Sequence, residues 1–178
     1  MRSLELFSGC GGLALGLKKA GFDLVDCVEF NKYACASLRE NLGHEVVFEG
    51  DIRNYKFHRC SDIDLIAGGP PCQPFSLGGK HKGVDDRRDM FPFAIKAIQE
   101  IQPKAFIFEN VKGLLRQNFY EYLDYIILRL KFPSYVKNHI SDWRNEYLFL
   151  QNLAKSDSPE YSVQVNLLNA MEFGVPQS

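Results

Sequence analysis

Short apolar runs alternate along the chain with stretches whose apolar residues recur at helical spacing. Ser3 to Phe7 reads as a strand, and Gly12 to Ala20 as a helix carrying Leu13, Leu17 and Ala20, ended by Gly21. Leu24 to Glu29 is a second strand with an acidic end, and Lys32 to Asn41 a second helix followed by Gly43. Val46 to Phe48 predicts a third strand running into Gly50-Asp51. Asp64 to Ala67 predicts a fourth, cut off by Gly68-Gly69-Pro70-Pro71. A polar, glycine-rich loop spans Gln73 to Asp89. Phe91 to Ile101 is a helix that accepts Pro92 in its first turn. Ala105 to Glu109 is a fifth strand, Asn118 to Leu130 a helix, and Tyr161 to Val165 a sixth strand. Residues 131–160 have no clear period; with Trp143 and many aromatics they read as a variable insertion.

Strands alternating with helices of this length predict an α/β fold: a Rossmann-like parallel sheet with helices on both faces, one domain over residues 1–178. In such sheets ligands sit beyond the carboxyl ends of the strands. The unusual residues all fall there: Phe7-Ser8-Gly9, Glu29, Asp51, Pro71-Cys72 and Glu109-Asn110.

The turn Phe7-Ser8-Gly9-Cys10-Gly11-Gly12 lets the backbone bend tightly and approach a ligand. A plain tight turn, or a dinucleotide site, uses the same glycines. Glu29 suits an acceptor for ribose hydroxyls, or is a solvated carboxylate. Phe30 can stack on an adenine face. Asp51 can accept from the adenine amino group, or cap a turn. Together these residues fit an adenosine nucleoside without a pyrophosphate.

Charge and cysteine content narrow the picture. The formal net charge of −1 is not the footprint of a free-standing nucleic-acid binder, so any DNA-binding charge is local or supplied by another domain. Five widely spaced cysteines, with no C-x-x-C pair, point to neither a disulfide framework nor a metal site. Most of them read as small buried hydrophobes. No apolar run is long enough for a bilayer, and the N-terminus lacks a signal-peptide pattern. The expected location is the cytoplasm, bacterial in the first instance, or the nucleus if the source has one, with no membrane partner.

The segment Gly68-Gly69-Pro70-Pro71-Cys72-Gln73-Pro74-Phe75-Ser76 resembles the nucleophile motif of the DNA cytosine-C5 methyltransferases. The resemblance extends to Phe7 through Gly12, Glu29-Phe30, Gly50-Asp51-Ile52 and Glu109-Asn110-Val111. It also covers the loop Gly79 to Gly83 with Asp85 and Arg87, and Leu168-Asn169-Ala170 with Phe173-Gly174-Val175-Pro176-Gln177. It implies an S-adenosylmethionine-dependent enzyme acting on double-stranded DNA and releasing S-adenosylhomocysteine. Cys72 would add to C6 of cytosine to activate C5, and Glu109 would handle the proton at N3. Phe7, Ser8, Gly9, Cys10, Gly11, Gly12, Glu29, Phe30, Asp51 and Ile52, with Pro71 and Met90, would hold the cofactor. The base must leave the duplex to react. Gln73, Ser76, Lys80, Lys82, Arg87 and Arg88 are the expected DNA contacts; a solvated surface loop has the same composition.

In this family the block after Pro176-Gln177 supplies arginines, and a target-recognition domain follows; neither lies within the 178 residues. The chain is then expected to be a fragment, one subunit of a split enzyme completed by a second polypeptide, or a remnant. Three other readings stay open: a cofactor-binding assembly partner without turnover, a methyltransferase of the related tRNA-modifying branch, and a nicotinamide-dependent oxidoreductase. The last leaves Cys72 and Glu109 without a role.

Overall fold

The computed structural model describes residues 1–60, 62–71, 90–135 and 143–176. Five parallel strands form one sheet: β1 (Arg2–Leu6), β2 (Asp23–Glu29), β3 (Val47–Glu49), β4 (Leu65–Gly68) and β5 (Ala105–Phe108). The order is β3-β2-β1-β4-β5. Successive connections therefore run outward from β1 in one direction and return to its other side at β4. This reversal opens a crevice above the carboxyl ends of β1 and β4, where open α/β sheets bind ligands.

Alternation along β1 builds two cores. Leu4 and Leu6 face a large apolar cluster with Val28, Ile66 and residues of α3 (Phe91–Ile101), α4 (Tyr120–Lys131) and α5 (Trp143–Ser156). The opposite face is covered by α1 (Gly12–Lys19) and α2 (Lys32–Leu42). There Ala14, Cys27, Leu38 and Leu42 pack together beside a second group of Leu17, Leu65 and Ala67. The predicted parallel sheet with helices on both faces is thus present. Each side chain of the central strand must suit one helix layer or the other.

Two expectations need correction. Tyr161 to Val165 forms no strand of the sheet. Its backbone is held elsewhere: the N–H groups of Glu160 and Tyr161 donate to the Lys131 carbonyl at the end of α4, and the Tyr161 hydroxyl donates to the Pro103 carbonyl at 2.7 Å. The stretch 131–160, in which the sequence shows no clear period, contains the fourteen-residue helix α5. Trp143, Tyr147, Leu150 and Leu153 recur along it at spacings of three and four and pack on the main core. Among the described residues no helix is long and apolar enough to cross a membrane.

A candidate nucleoside site beside a paired-strand crevice

The glycine turn after β1 is shaped by its backbone. Gly9 and Gly11 have φ of 54° and 89°, a region side chains avoid. A Cβ at Gly11 would also lie 2.7 Å from Leu38 Cδ2, so the Leu38 side chain on α2 would have to move aside. Gly11 stands at the N-cap of α1. Ser8 is buried, and its hydroxyl donates to the Glu5 carbonyl at 3.2 Å. Cys10 is exposed.

Glu29 closes over this turn. One carboxylate oxygen accepts the Gly9 N–H at 2.7 Å and the other accepts the Asn31 N–H at 2.7 Å. A carboxylate has about four accepting positions, so each oxygen keeps capacity for a ligand hydroxyl. Asp51, after β3, is the N-cap of a short 3-10 turn and accepts the Arg53 N–H at 2.9 Å. The Arg53 guanidinium also engages both Asp51 oxygens, which holds the Asp51 carboxyl below its usual range.

These groups converge. A cavity of 330 Å³ is bounded by Phe7, Val28, Glu29, Phe30, Gly50, Asp51, Ile52, Arg53, Gly69, Pro71 and Met90. It thus gathers the ends of the first four strands and the N-cap of α3, and its size falls within the range of about 300–1,000 Å³ usual for small-ligand sites. Seven of the residues expected from the sequence line it: Phe7, Glu29, Phe30, Asp51, Ile52, Pro71 and Met90. Ser8, Gly9, Cys10, Gly11 and Gly12 form the turn beside it and are not among the lining residues. Val28, Gly50, Arg53 and Gly69 line the cavity as well; Gly50 and Gly69 stand in the quoted motifs but had been given no cofactor role. Arg53 is the informative omission, because its position two residues after a strand-end aspartate marks a local ion pair. Phe30 is 74% exposed, which leaves an aromatic face free for stacking. The donor set fits an adenosine: two carboxylates, an open aromatic ring and apolar walls. A larger cavity of 680 Å³ lies between β5, α4 and residues 162–168, but no carboxylate lines it. Its chemistry does not suit a ribose, so size alone is a poor guide here.

The second part of the site is the join between β4 and β5. A Cβ at Gly68 would sit 2.3 Å from the Leu6 carbonyl oxygen, so β4 can lie this close to β1 only as glycine. The Glu109 N–H donates to the Gly68 carbonyl at 2.9 Å, and the Asn110 amide donates to the Pro70 carbonyl at 3.0 Å. The two strand ends are therefore stapled side by side. The Glu109 carboxylate lies 3.4 Å from where a Gly69 Cβ would be, is exposed, and flanks the Pro70-Pro71 segment leading to position 72. Cys72 itself, and the expected DNA contacts Gln73, Ser76, Lys80, Lys82, Arg87 and Arg88, lie outside the described residues. Of the other cysteines, Cys27 and Cys35 are buried, and burial raises both thiols above their usual range.

Comparison with known proteins agrees with this geometry. The model for the C-5 cytosine-specific DNA methylase family matches residues 1–141. Type II methyltransferase M.NgoMIV of Neisseria gonorrhoeae is 48% identical over 124 residues, which are 70% of this chain and 40% of that protein. Type II methyltransferase M.NaeI of Lentzea aerocolonigenes is 37% identical over 177 residues, 98% of this chain and 37% of that protein. Among solved structures, the Dnmt2 methyltransferase of S. pombe superposes with a TM-score of 0.56 at 27% identity, covering 74% of this chain and 42% of that one. A putative DNA modification methyltransferase from an E. coli prophage gives 0.55 at 28% identity, with 85% and 38% covered. The chain thus spans about two fifths of the length of the relatives named here. With the family model covering most of the chain, and with strand-end motifs placed as described, this protein belongs to the C-5 cytosine-specific DNA methylase family.

Proposed function

We propose that this chain carries the cofactor site and the nucleophile of an enzyme that methylates C5 of cytosine in DNA. The observation that supports it most is at Gly69: this residue lines the carboxylate-lined cavity and lies beside the Glu109 carboxylate, and the Gly-Gly-Pro-Pro sequence it belongs to leads directly to Cys72. Bound S-adenosylmethionine supplies an electrophilic methyl group. Glu29 accepts from its ribose hydroxyls, Asp51 and the backbone at Ile52 receive the adenine edge, and Phe30 stacks on the ring. Pro71 and Met90 wall the far side. Fixed carboxylates and walls of this kind orient the methyl toward the β4–β5 crevice at no cost during the reaction.

Cytosine C5 is a weak nucleophile until C6 is attacked. The Cys72 thiolate adds to C6, and electron density moves through the ring to N3 and O2, where the Glu109 carboxyl supplies or shares a proton. C5 then takes the methyl. Loss of the C5 proton and departure of the Cys72 thiolate restore the aromatic ring as 5-methylcytosine. The base reaches this crevice flipped out of the duplex, with Gln73, Ser76, Lys80, Lys82, Arg87 and Arg88 on the adjoining backbone.

Sequence reading of the target falls to polypeptide beyond these 178 residues, either continuous with them or a second polypeptide. The relatives' greater length supports this, as does the character of β5: it is the edge of the sheet, with Ile107 half exposed. The relatives' Type II names favour a role in restriction and modification, in the cytoplasm of a bacterium.

The test uses duplex DNA and labelled S-adenosylmethionine, with the chain joined by the polypeptide that completes it. Methyl transfer to cytosine C5 is expected. In DNA whose cytosine carries fluorine at C5, the adduct cannot lose a C5 proton, so a denaturation-resistant complex through Cys72 should accumulate. Cys72→Ser should remove both signals, and Glu109→Gln should cut transfer by at least about a hundredfold. Transfer to a different base, or an unchanged rate in Cys72→Ser, would overturn the reading.

A further inference from the structure

Glu29 and Asp51 both line the cavity, but they stand differently toward a ligand. Glu29 accepts two backbone N–H groups, one on each oxygen, and keeps open positions on both. Asp51 keeps none. Its Oδ1 accepts the Arg53 backbone N–H and the Arg53 Nε–H, each at 2.9 Å. Its Oδ2 accepts the same Nε–H at 2.9 Å together with an Nη2–H. A carboxylate offers about four accepting positions, so a single arginine takes them all.

The two parts of Arg53 hold Asp51 in different ways. The backbone N–H belongs to the 3-10 turn that Asp51 caps, so it keeps the carboxylate in place whatever the Arg53 side chain does. The guanidinium is free to leave: the Arg53 side chain is 57% exposed, against 21% for Asp51. While it stays, it changes what the cavity shows to a base. Asp51 alone presents only acceptors. Covered by Arg53, it presents donors as well, because a guanidinium has N–H groups beyond those bound to Asp51. Adenine and hypoxanthine differ at the edge such a pair would meet. Adenine has an amino donor at C6, and hypoxanthine has a carbonyl acceptor there.

We propose that Arg53 is a specificity-determining residue for the nucleobase: it competes with the amino group of an adenine for Asp51 and supplies a donor to a purine that carries oxygen at C6. This rests on the reading of the cavity as the S-adenosylmethionine site. An adenine amino group reaches Asp51 only once the guanidinium gives up an accepting position, so the ion pair works against the cofactor. A base with a carbonyl at C6 makes no such demand, because the carbonyl accepts from the guanidinium where it stands. Without Arg53 that carbonyl would face a carboxylate with nothing to donate, and a charge-assisted hydrogen bond would be lost. The pair is exposed, so salt weakens it.

The experiment is calorimetry of S-adenosylhomocysteine and of its deaminated analogue, S-inosylhomocysteine, binding to the full chain and to Arg53→Met at about 0.05 M and about 0.5 M sodium chloride. Arg53→Met keeps the backbone N–H that holds Asp51 and removes the charge. At low salt the variant should bind S-adenosylhomocysteine severalfold more tightly than wild type. It should bind the inosyl analogue about tenfold more weakly. Raising the salt should close the gap between the two proteins for S-adenosylhomocysteine, which loss of a merely structural contact would not do. If Arg53→Met does not fold, Arg53→Lys, a cation that cannot cover both oxygens, should shift both affinities in the same directions by less. An unchanged ratio of the two affinities in the folded variant overturns the proposal. So does weaker binding of S-adenosylhomocysteine by that variant, or a wild type that takes this ligand and refuses the inosyl analogue. In each of these cases the cofactor reading stands. Only if neither protein binds either ligand at either salt does that reading fail, and the role of Arg53 fails with it.

Discussion

Gly68 pairs with Leu6 and Glu5 with Ala67, one register step apart along the β1–β4 ladder, and the two constrain the fold in different ways. At Gly68 the would-be Cβ meets backbone, the Leu6 carbonyl at 2.3 Å, which cannot swing aside. Gly68→Ala should therefore cost about 1–3 kcal/mol in thermal or denaturant unfolding and spread β1 from β4. Because Cys72 follows four residues later, that shift should also lower methyl transfer by more than the stability loss explains. For Glu5 the effect is a pH dependence. Its value rises from 4.5 in a free carboxyl to about 7 in the fold, so the fold prefers the protonated form. This contribution is complete below about pH 4.5 and is lost as pH rises through about 7, with a full span of about 3 kcal/mol. Denaturant titrations at either end of that window should show wild type weakening toward the higher pH relative to Glu5→Gln; parallel curves would refute the assignment. Asp51 is the opposite case, held down by Arg53. Arg53 is an exposed partner, so Arg53→Ala should free the carboxylate for an adenine amino group and change S-adenosylhomocysteine affinity by less than about tenfold.

At the scale of elements, α4 and α5 are joined by a buried polar contact. The Tyr125 hydroxyl donates to Glu146 Oε2 at 2.5 Å, and Arg129 Nε lies 4.0 Å from the same oxygen, all three side chains being largely buried. Trp143 and Tyr147 pack against the Tyr125 ring. Removing one donor leaves a buried carboxylate short of partners, so Tyr125→Phe should destabilise the chain by about 1–3 kcal/mol, read as a lower melting temperature. Glu146→Leu should cost more, about 3–5 kcal/mol, because it takes away the carboxylate that the buried Arg129 guanidinium and the Tyr125 hydroxyl share. This same helix was poorly legible in the sequence. Its apolar face is real, but Glu146 lies inside and Leu148 and Phe149 lie outside, so a count of apolar residues blurs the period. The early strands and α1 to α3 were legible because their apolar runs are bounded by glycine, proline or a strand-end acid. Tyr161 to Val165 misled for a different reason. Alternation reports which side chains point inward, and Tyr161 and Val163 do pack on the core. It does not say whether a neighbouring strand is there to take the hydrogen bonds, and here the end of α4 takes the first of them. Of the site, the strand-end carboxylates were legible enough that seven of the expected residues line one cavity, while position 72 and the loop after it lie outside the described residues. Arg53 left a local signal, two residues after the strand-end Asp51, whereas nothing local marks Glu5, whose neighbours Cys27 and Ala67 come from other strands.

At the scale of the whole molecule the charge sets what the chain can do with DNA. The formal net charge of −1 gives no general attraction to a polyanion, so binding comes from a local group of cations or from the polypeptide that completes the chain. Lys80, Lys82, Arg87 and Arg88 are the available group, and Asp85, Asp86 and Asp89 among them dilute it to a net of one positive charge. If the four cations each neutralise a phosphate, the logarithm of the binding constant for duplex DNA should fall against the logarithm of salt with a slope of about −3 to −4 from this loop alone. Replacing all four by alanine should remove that slope in fluorescence anisotropy titrations. Any preference for one DNA sequence contributed by the completing polypeptide should remain, because phosphate contacts position a duplex without reading it. The acidic neighbours supply the control: Asp85→Asn with Asp86→Asn should strengthen binding at low salt and leave the number of released ions nearly the same. A slope that survives the four substitutions would place the phosphate contacts elsewhere and leave the loop as a solvated surface segment.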